Sequence, residues 1–447
     1  MNIDQARLYI QESIRQSQLA LDCLKSSTVI RTAEAIQPAL NAALPGDTIE
    51  LENATYTVGM LHLPPKDAPG VRLTTQGSLP DRRTGLSDFG YLAILRSGNP
   101  DRTIDATGAV NWTLDGLEFQ SSTDGHSDVI RLQDAQNITL DRILLVAGPL
   151  GQKRGICANG SNITITRSYL ANLFAPGQDS QAICFWDGAG PYHIEDNYLE
   201  AAGENLMVGG ADSKSIDRLP SDIRIVRNTF TKNPDWKGKG YAVKNLLEFK
   251  VGKRVVILGN DFSQCWADAQ TGYGILFKSV NQNGTAPWSA TEDVQFEDNT
   301  IVDVANGFNI QGETFEKNPD GSSQHGGKTK NVTIRGNTLY TAGVAVQITG
   351  APGPITLDRT TFVNGYTFIQ LGGSPMESLT VTNVLANHNA YGVKGDGAGI
   401  GIPSLTKFAT SWVFTNNCLL GGAGKGTYPP TTYFDLASVP DGVIVGR

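Results

Sequence analysis

Glu248, Lys250 and Lys278 are the side chains whose spacing in this chain allows proton chemistry. Alternation along 246–250 and 274–278 turns Leu247, Phe249, Ile275 and Phe277 to one face and Glu248, Lys250 and Lys278 to the other. Beside an acidic sugar, a carboxylate or a bound cation would lower the pKa of the proton next to the sugar's carboxyl group. Lys250 would then abstract that proton with Lys278 assisting. The same residues also read as an ion pair between neighbouring strands, worth little in water. A glycosidase needs two carboxylates about 5–9 Å apart. Asp179, Asp187, Glu200, Glu204 and Asp212 supply candidates without fixing a pair. Aligning the strand-like segments 182–186, 204–208 and 307–311 with these two predicts an outward polar column of Asn205, Glu248, Lys250, Lys278 and Asn309. Gln311 lies on the coil of Asn309, and Glu204 lies near the column in a turn. Trp186, Trp236 and Trp266 fall in the same stretch, and a flat ring suits the apolar face of a sugar. They join Asn205, Asn309, Gln311 and Glu204 as expected substrate contacts, the other reading being rings that fill the interior or pin a loop.

The elements that must position these residues announce themselves as a repeat. Eleven units begin at Asn111, Asn137, Asn162, Pro191, Asp222, Arg254, Asp293, Asn331, Pro354, Ser378 and Ser411, at intervals of 23 to 39 residues. Each alternates apolar and polar residues, as in NITLDRILL and DIRIVRNTF. A strand-period unit returning at that interval is one coil of a solenoid, whose apolar row is buried only by its neighbours. The asparagine at the seventh position (Asn197, Asn228, Asn260, Asn299, Asn337, Asn417) is expected at a bend, bonding the asparagine of the next coil. The Asn-x-Thr sequences at Asn111, Asn137, Asn162 and Asn331 lie on the same strands and read as ladder positions, not glycan acceptors.

Fifty Gly, 21 Pro and 18% charged residues mean many turns and few long solvated helices. A net charge of −8 excludes the broad basic stripe of a nucleic-acid binder. No apolar run approaches the roughly 18 residues of a membrane span. The five cysteines form no CxxC and no His lies at ligand spacing from them, so they are expected to be reduced and buried, without a zinc site. Residues 1–28 read as a helix with Ile3, Ala6, Ile10 and Leu24 on one stripe, serving as a cap or an oligomerisation element. Residues 29–110 read as an N-terminal cap with irregular first coils, 111–420 as the solenoid, and 421–447 as a C-terminal cover. The N-terminus carries no Sec-type signal pattern.

The stretch ALNAALPGDTIEL followed by ATY resembles the N-terminal cap of right-handed parallel β-helices of the pectate-lyase-like type. The segment from 178 to 299, with GQDSQA, LEAAGEN, GGAD and TAPW outside the coil period, resembles a group of bacterial and viral right-handed β-helix proteins. Glu248-x-Lys250 with a cation one coil later is similar to the layout in the lyase family of chondroitinase B and alginate lyases. In that family the base is a lysine and its partner an arginine; here the second position is Lys278, and that family's acidic metal cluster has no counterpart beside it. The resemblance implies an all-β fold, a single right-handed parallel β-helix with a short N-terminal helix and capping segment, and a polysaccharide as partner. A divalent cation such as calcium is the cofactor such a site would take. The expected role is an extracellular polysaccharide-binding and polysaccharide-cleaving protein of the phage tailspike or tail-fibre type, a homotrimer or an assembly with other virion proteins. The alternatives are a secreted bacterial polysaccharide lyase-like enzyme and a non-catalytic adhesin.

Overall fold

A computed structural model describes residues 11–12 and 26–446, so the helix expected over residues 3–25 lies outside the described residues apart from Gln11 and Glu12. From Ser27 onward the chain winds as a parallel β-helix of three sheets, with 14, 14 and 12 strands. The first sheet runs from Ser27–Ile30 to Ala409–Thr415, the second from Thr55–Val58 to Thr432–Tyr433, and the third from Leu61–His62 to Val393–Gly395. Neighbours within a sheet come from successive coils, and every pairing between named strands is parallel, as between Ile138 and Ile163 or Leu247 and Ile275. The rungs therefore begin ahead of the first repeat unit, and the excursion after Thr75 returns to the stack as the strand Ala93–Ser97. On its way, residues 76–92 lie along the outside, where the Thr84 amide donates to Arg167 and its hydroxyl to the Ile143 carbonyl.

Each repeat unit spans the bend from the first sheet to the second. Its sixth residue has φ between 44° and 64° in all eleven copies, from Gly116 to Asn416, a left-handed turn that changes direction in one residue. The following asparagine is buried and builds the ladder expected of it. Asn197, Asn228, Asn260 and Asn299 each donate Nδ2 to the Oδ1 of the asparagine one coil on, at 2.9–3.1 Å, and also to a backbone carbonyl. Outside, Asn137 donates to Asn111 and Asn162 to Asn137 at 2.8 Å, so these sequons serve the stack. Inside, Phe230, Phe262 and Phe296 stack coil upon coil, with centroids 4.5 and 5.7 Å apart.

Both ends are covered. Helix α1 (Ala33–Ala42) buries Ile36 and Leu40 against the first strands of the three sheets, hiding an open stack end. Helix α2 (Ile402–Phe408) interrupts the last coil, which the repeat pattern had not foreshadowed, and buries Leu405 and Phe408. The four described cysteines are buried and unpaired, as expected. No helix among the described residues is long and apolar enough to cross a membrane.

Asn260→Ala would strand the backbone amide of Asn228 and take the side-chain donor from the carbonyl of Ile225 in a dry interior. We expect a loss of about 1–3 kcal/mol, read from the urea midpoint at constant slope.

Candidate functional site

The first-to-second bend is tight in every repeat coil, and the extra residues collect at the two edges of the third sheet. Segments 174–180, 232–246 and 266–272 lead into it, and 209–220, 278–290 and 312–329 lead out. With the interior filled, these segments lie along the two edges of that sheet's outer face. Between these two walls the floor is the outer face of Gln181–Phe185, Glu204–Val208, Leu247–Phe249 and Tyr273–Phe277.

Each wall is locked by its own side chains. In the entry wall, Tyr241 stacks on Phe174 at 4.4 Å, Trp236 tilts against Phe174 at 6.2 Å, and Lys237 lies 5.0 Å over the Trp266 ring. In the exit wall, the Thr285 amide and hydroxyl both donate to Asp212 at 2.8 Å, and Trp288 Nε1 donates to the Ser213 hydroxyl at 3.0 Å. GGAD and TAPW are thus two halves of one loop lock. Gly209 carries φ of 137°, and a Cβ there would lie 2.6 Å from the Cβ of Lys250, so only glycine lets this wall descend onto the floor.

A chain of charges crosses the floor. Arg131 and Arg154 both pair with Asp128, at 2.6 and 3.2 Å, and Arg154 Nε donates to the side-chain Oε1 of Gln181 at 2.9 Å. Gln181 in turn donates to Glu204 Oε2 at 2.8 Å, and Lys244 lies 3.6 Å from Glu204 Oε1 and 2.5 Å from Asp179. One coil further, Lys250 and Lys278 converge on the same oxygen of Glu248, at 3.5 and 3.6 Å. Glu204 and Glu248 are wholly buried, yet Glu204 Oε1 and both oxygens of Glu248 accept no hydrogen bond. Burial, with the nearby Glu248, pushes the Glu204 carboxyl above its ordinary range. Burial also lowers the Lys278 ammonium, with Lys250 adding to the effect, and Glu248 opposes it.

The structure brings Glu248, Lys250, Lys278 and Glu204 together and redistributes the rest. Glu248 and Lys250 do not form the solvated pair that the alternative reading offered, since Glu248 is fully covered. Asn205 does not join the outward column: the partner of Glu248 on the preceding coil is Met207, and on the following coil Leu276, ahead of Asn309. The buried Asn205 amide donates to the carbonyls of Leu199 and Thr231 and accepts from Lys232. Lys232 itself is buried against the carbonyls of Ala201, Ala202, Gly203 and Asn245, so LEAAGEN supplies a cage for an ammonium group; burial lowers that group to about 8. Trp236 is a buried wall anchor and Trp266 sits over the second sheet, whereas Trp186 lies under Arg154, 5.9 Å from its guanidinium. Gln311 follows the residue paired with Phe277, which places it beside Lys278, and its amide donates to the Glu313 carbonyl at 3.2 Å. Tyr273 is buried; Asp187 is spent on Arg218, and Glu200 on Tyr198 and Asn172. Sequence reasoning missed Lys244, Arg154 and Gln181. The last two start strands, where the corner lets the side chain leave the inward row, and Lys244 belongs to a loop without period.

A divalent cation does not fit this floor. Among the described residues no three His, Cys, Asp or Glu side chains gather as a ligand set. The two buried carboxylates instead face the ammonium groups of Lys244, Lys250 and Lys278.

No known family model matches the chain, and no curated protein is similar to it in sequence. Solved structures place the fold among pectate-lyase-like right-handed β-helix proteins. The catalytic unit of a thermostable GH87 α-1,3-glucanase from Streptomyces thermodiastaticus overlays with a TM-score of 0.58 at 15% identity, covering 91% of this chain and 67% of that one. A PL6 family polysaccharide lyase from Pseudopedobacter saltans overlays at 0.50 and 12% identity, covering 94% and 95%. A tailspike protein of E. coli bacteriophage HK620 in complex with a pentasaccharide overlays at 0.48 and 11%, covering 88% and 63%. These are likenesses of fold.

The folded protein keeps the Glu204 proton where an unfolded chain, with its carboxyl near 4.5, has released it. Stability therefore falls as pH rises above 4.5 through this group. Glu204→Gln should flatten that decline in urea unfolding measured from pH 4.5 to neutrality.

Proposed function

We propose that the chain binds an acidic polysaccharide along the outer face of the third sheet and cleaves it by β-elimination. The observation that carries the reading is the convergence of Lys250 and Lys278 on one buried carboxylate on the outer side of the third sheet. Lys244, Lys250 and Lys278 set three ammonium groups along this floor, with which an anionic sugar can pair. A uronate carboxylate answers that charge, and Lys250 and Lys244 are placed to hold it. Lys278, whose ammonium is weakened by burial, is the better candidate to take the proton beside the sugar's carboxyl group. As that C–H bond breaks, its electron pair forms the new double bond and expels the glycosidic oxygen at the neighbouring carbon. Protonated Glu204 is a donor available to the leaving oxygen. The polysaccharide-active proteins that share the fold support the substrate class.

Glu204 and Glu248 also favour a second reading, hydrolysis by an acid and a base. In that case Glu204 is the acid, because burial favours its protonated form, and Glu248, beside two lysines, is the base. As a setting we propose the extracellular space or a virion, where a tailspike-type particle would carry the chain as a trimer. Light scattering of the purified chain tests that assembly: a stable monomer argues against it.

Incubation with alginate and polygalacturonate decides between the chemistries. Elimination leaves an unsaturated uronate that absorbs in the ultraviolet, and Lys278→Ala should reduce that signal by at least about 10²-fold with the fold intact. Reducing ends without ultraviolet absorbance, lost in Glu204→Gln, would establish hydrolysis instead. Full elimination by Lys278→Ala would refute the base assignment.

A further inference from the structure

We propose that a second saccharide-binding position lies at the far end of the third sheet, in the hollow between Tyr366, Tyr391, Gln370 and Lys394, and that one polymer chain reaches it from Glu248. The inference rests on the polysaccharide reading above and extends it to chain length. Strand register supplies the path. The outward position of Glu248 continues coil by coil through Leu276, Asn309, Gln347 and Gln370 to Lys394. Five rungs separate Glu248 from Lys394, about 24 Å at rung spacing, the length of an oligosaccharide and not of one sugar.

The amides on this path differ from those of the outer asparagine ladder. Asn111, Asn137 and Asn162, also stacked one rung apart, bond each other at 2.8 Å. Among the described residues, the side chains of Asn309, Gln347 and Gln370 make no hydrogen bond, although all three are half-buried between apolar neighbours. Three stacked amides with unused donors and acceptors suit a row of sugar hydroxyls. At the end of the row, Tyr366 and Tyr391 stand on successive bends into the third sheet, 50% and 37% exposed, with ring centroids 5.5 Å apart and planes at 76°. They border a hollow that Gln370, Lys394 and Asp396 complete. An exposed ring pair offers a face to a pyranose, and Lys394, which donates to the Ala398 carbonyl, retains donors for a uronate carboxylate.

Native electrophoresis through gels containing alginate, polygalacturonate or neutral dextran tests the inference. Retardation of the unmodified protein by at least one acidic polymer is expected. The double variant Tyr366→Ala, Tyr391→Ala should bind that polymer about five- to tenfold more weakly. Undiminished retardation of the tyrosine variant, with unchanged melting, overturns the distal position and leaves the polysaccharide reading standing. An unmodified protein that neither acidic polymer retards overturns both. If the tyrosine variant melts early, Gln347→Ala with Gln370→Ala decides by the same two outcomes.

Discussion

An inward row of Ile, Leu, Val and Phe has nowhere to go in this molecule except against the row of the adjacent rung. That single constraint sets the parallel register of three sheets and the continuous column of Phe230, Phe262 and Phe296. It also makes the buried asparagine ladder necessary, because a bend taken in one residue leaves amides and carbonyls inside with no water to bond. The ladder satisfies them one coil at a time. Everything chemical is held from the outside of this frame.

The site follows from asymmetry among the corners. The corner occupied by the repeat is fixed by its left-handed residue and its asparagine. Both edges of the third sheet are free to lengthen, and there the long segments gather. They exclude water from Glu204 and Glu248 and set three lysines against them. Removal of two carboxylates from water is costly unless nearby ammonium groups balance them. The unbonded oxygens show that the balance is by charge alone.

Much of this was legible in the chain because it is periodic. Alternation in LLEFK and GILFK was enough to put Glu248, Lys250 and Lys278 on one outer face, and the seventh-position asparagines marked a ladder. Asn205 was misplaced because strand alignment by apolar pattern slips by two residues without penalty: ENLMV offers Asn205 and Met207 as equivalent outward positions, and only hydrogen bonding to the lysine cage distinguishes them. Trp236 could not be read, since a tryptophan on a loop looks alike whether it binds sugar or anchors the loop. Helix α2 lay hidden in a coil where a proline and small residues mimic a turn.

The fixed corner has a consequence for how such a chain can change. One residue inserted between a repeat's left-handed position and its asparagine would shift an amide away from both adjacent coils, so the error would not stay local. Residues added beside the third sheet face no such audit, since a doubled loop costs only about 0.6 kcal/mol of closure entropy. Lineages descending from this architecture should therefore differ in the reach and chemistry of their walls while keeping the opposite bend almost letter for letter.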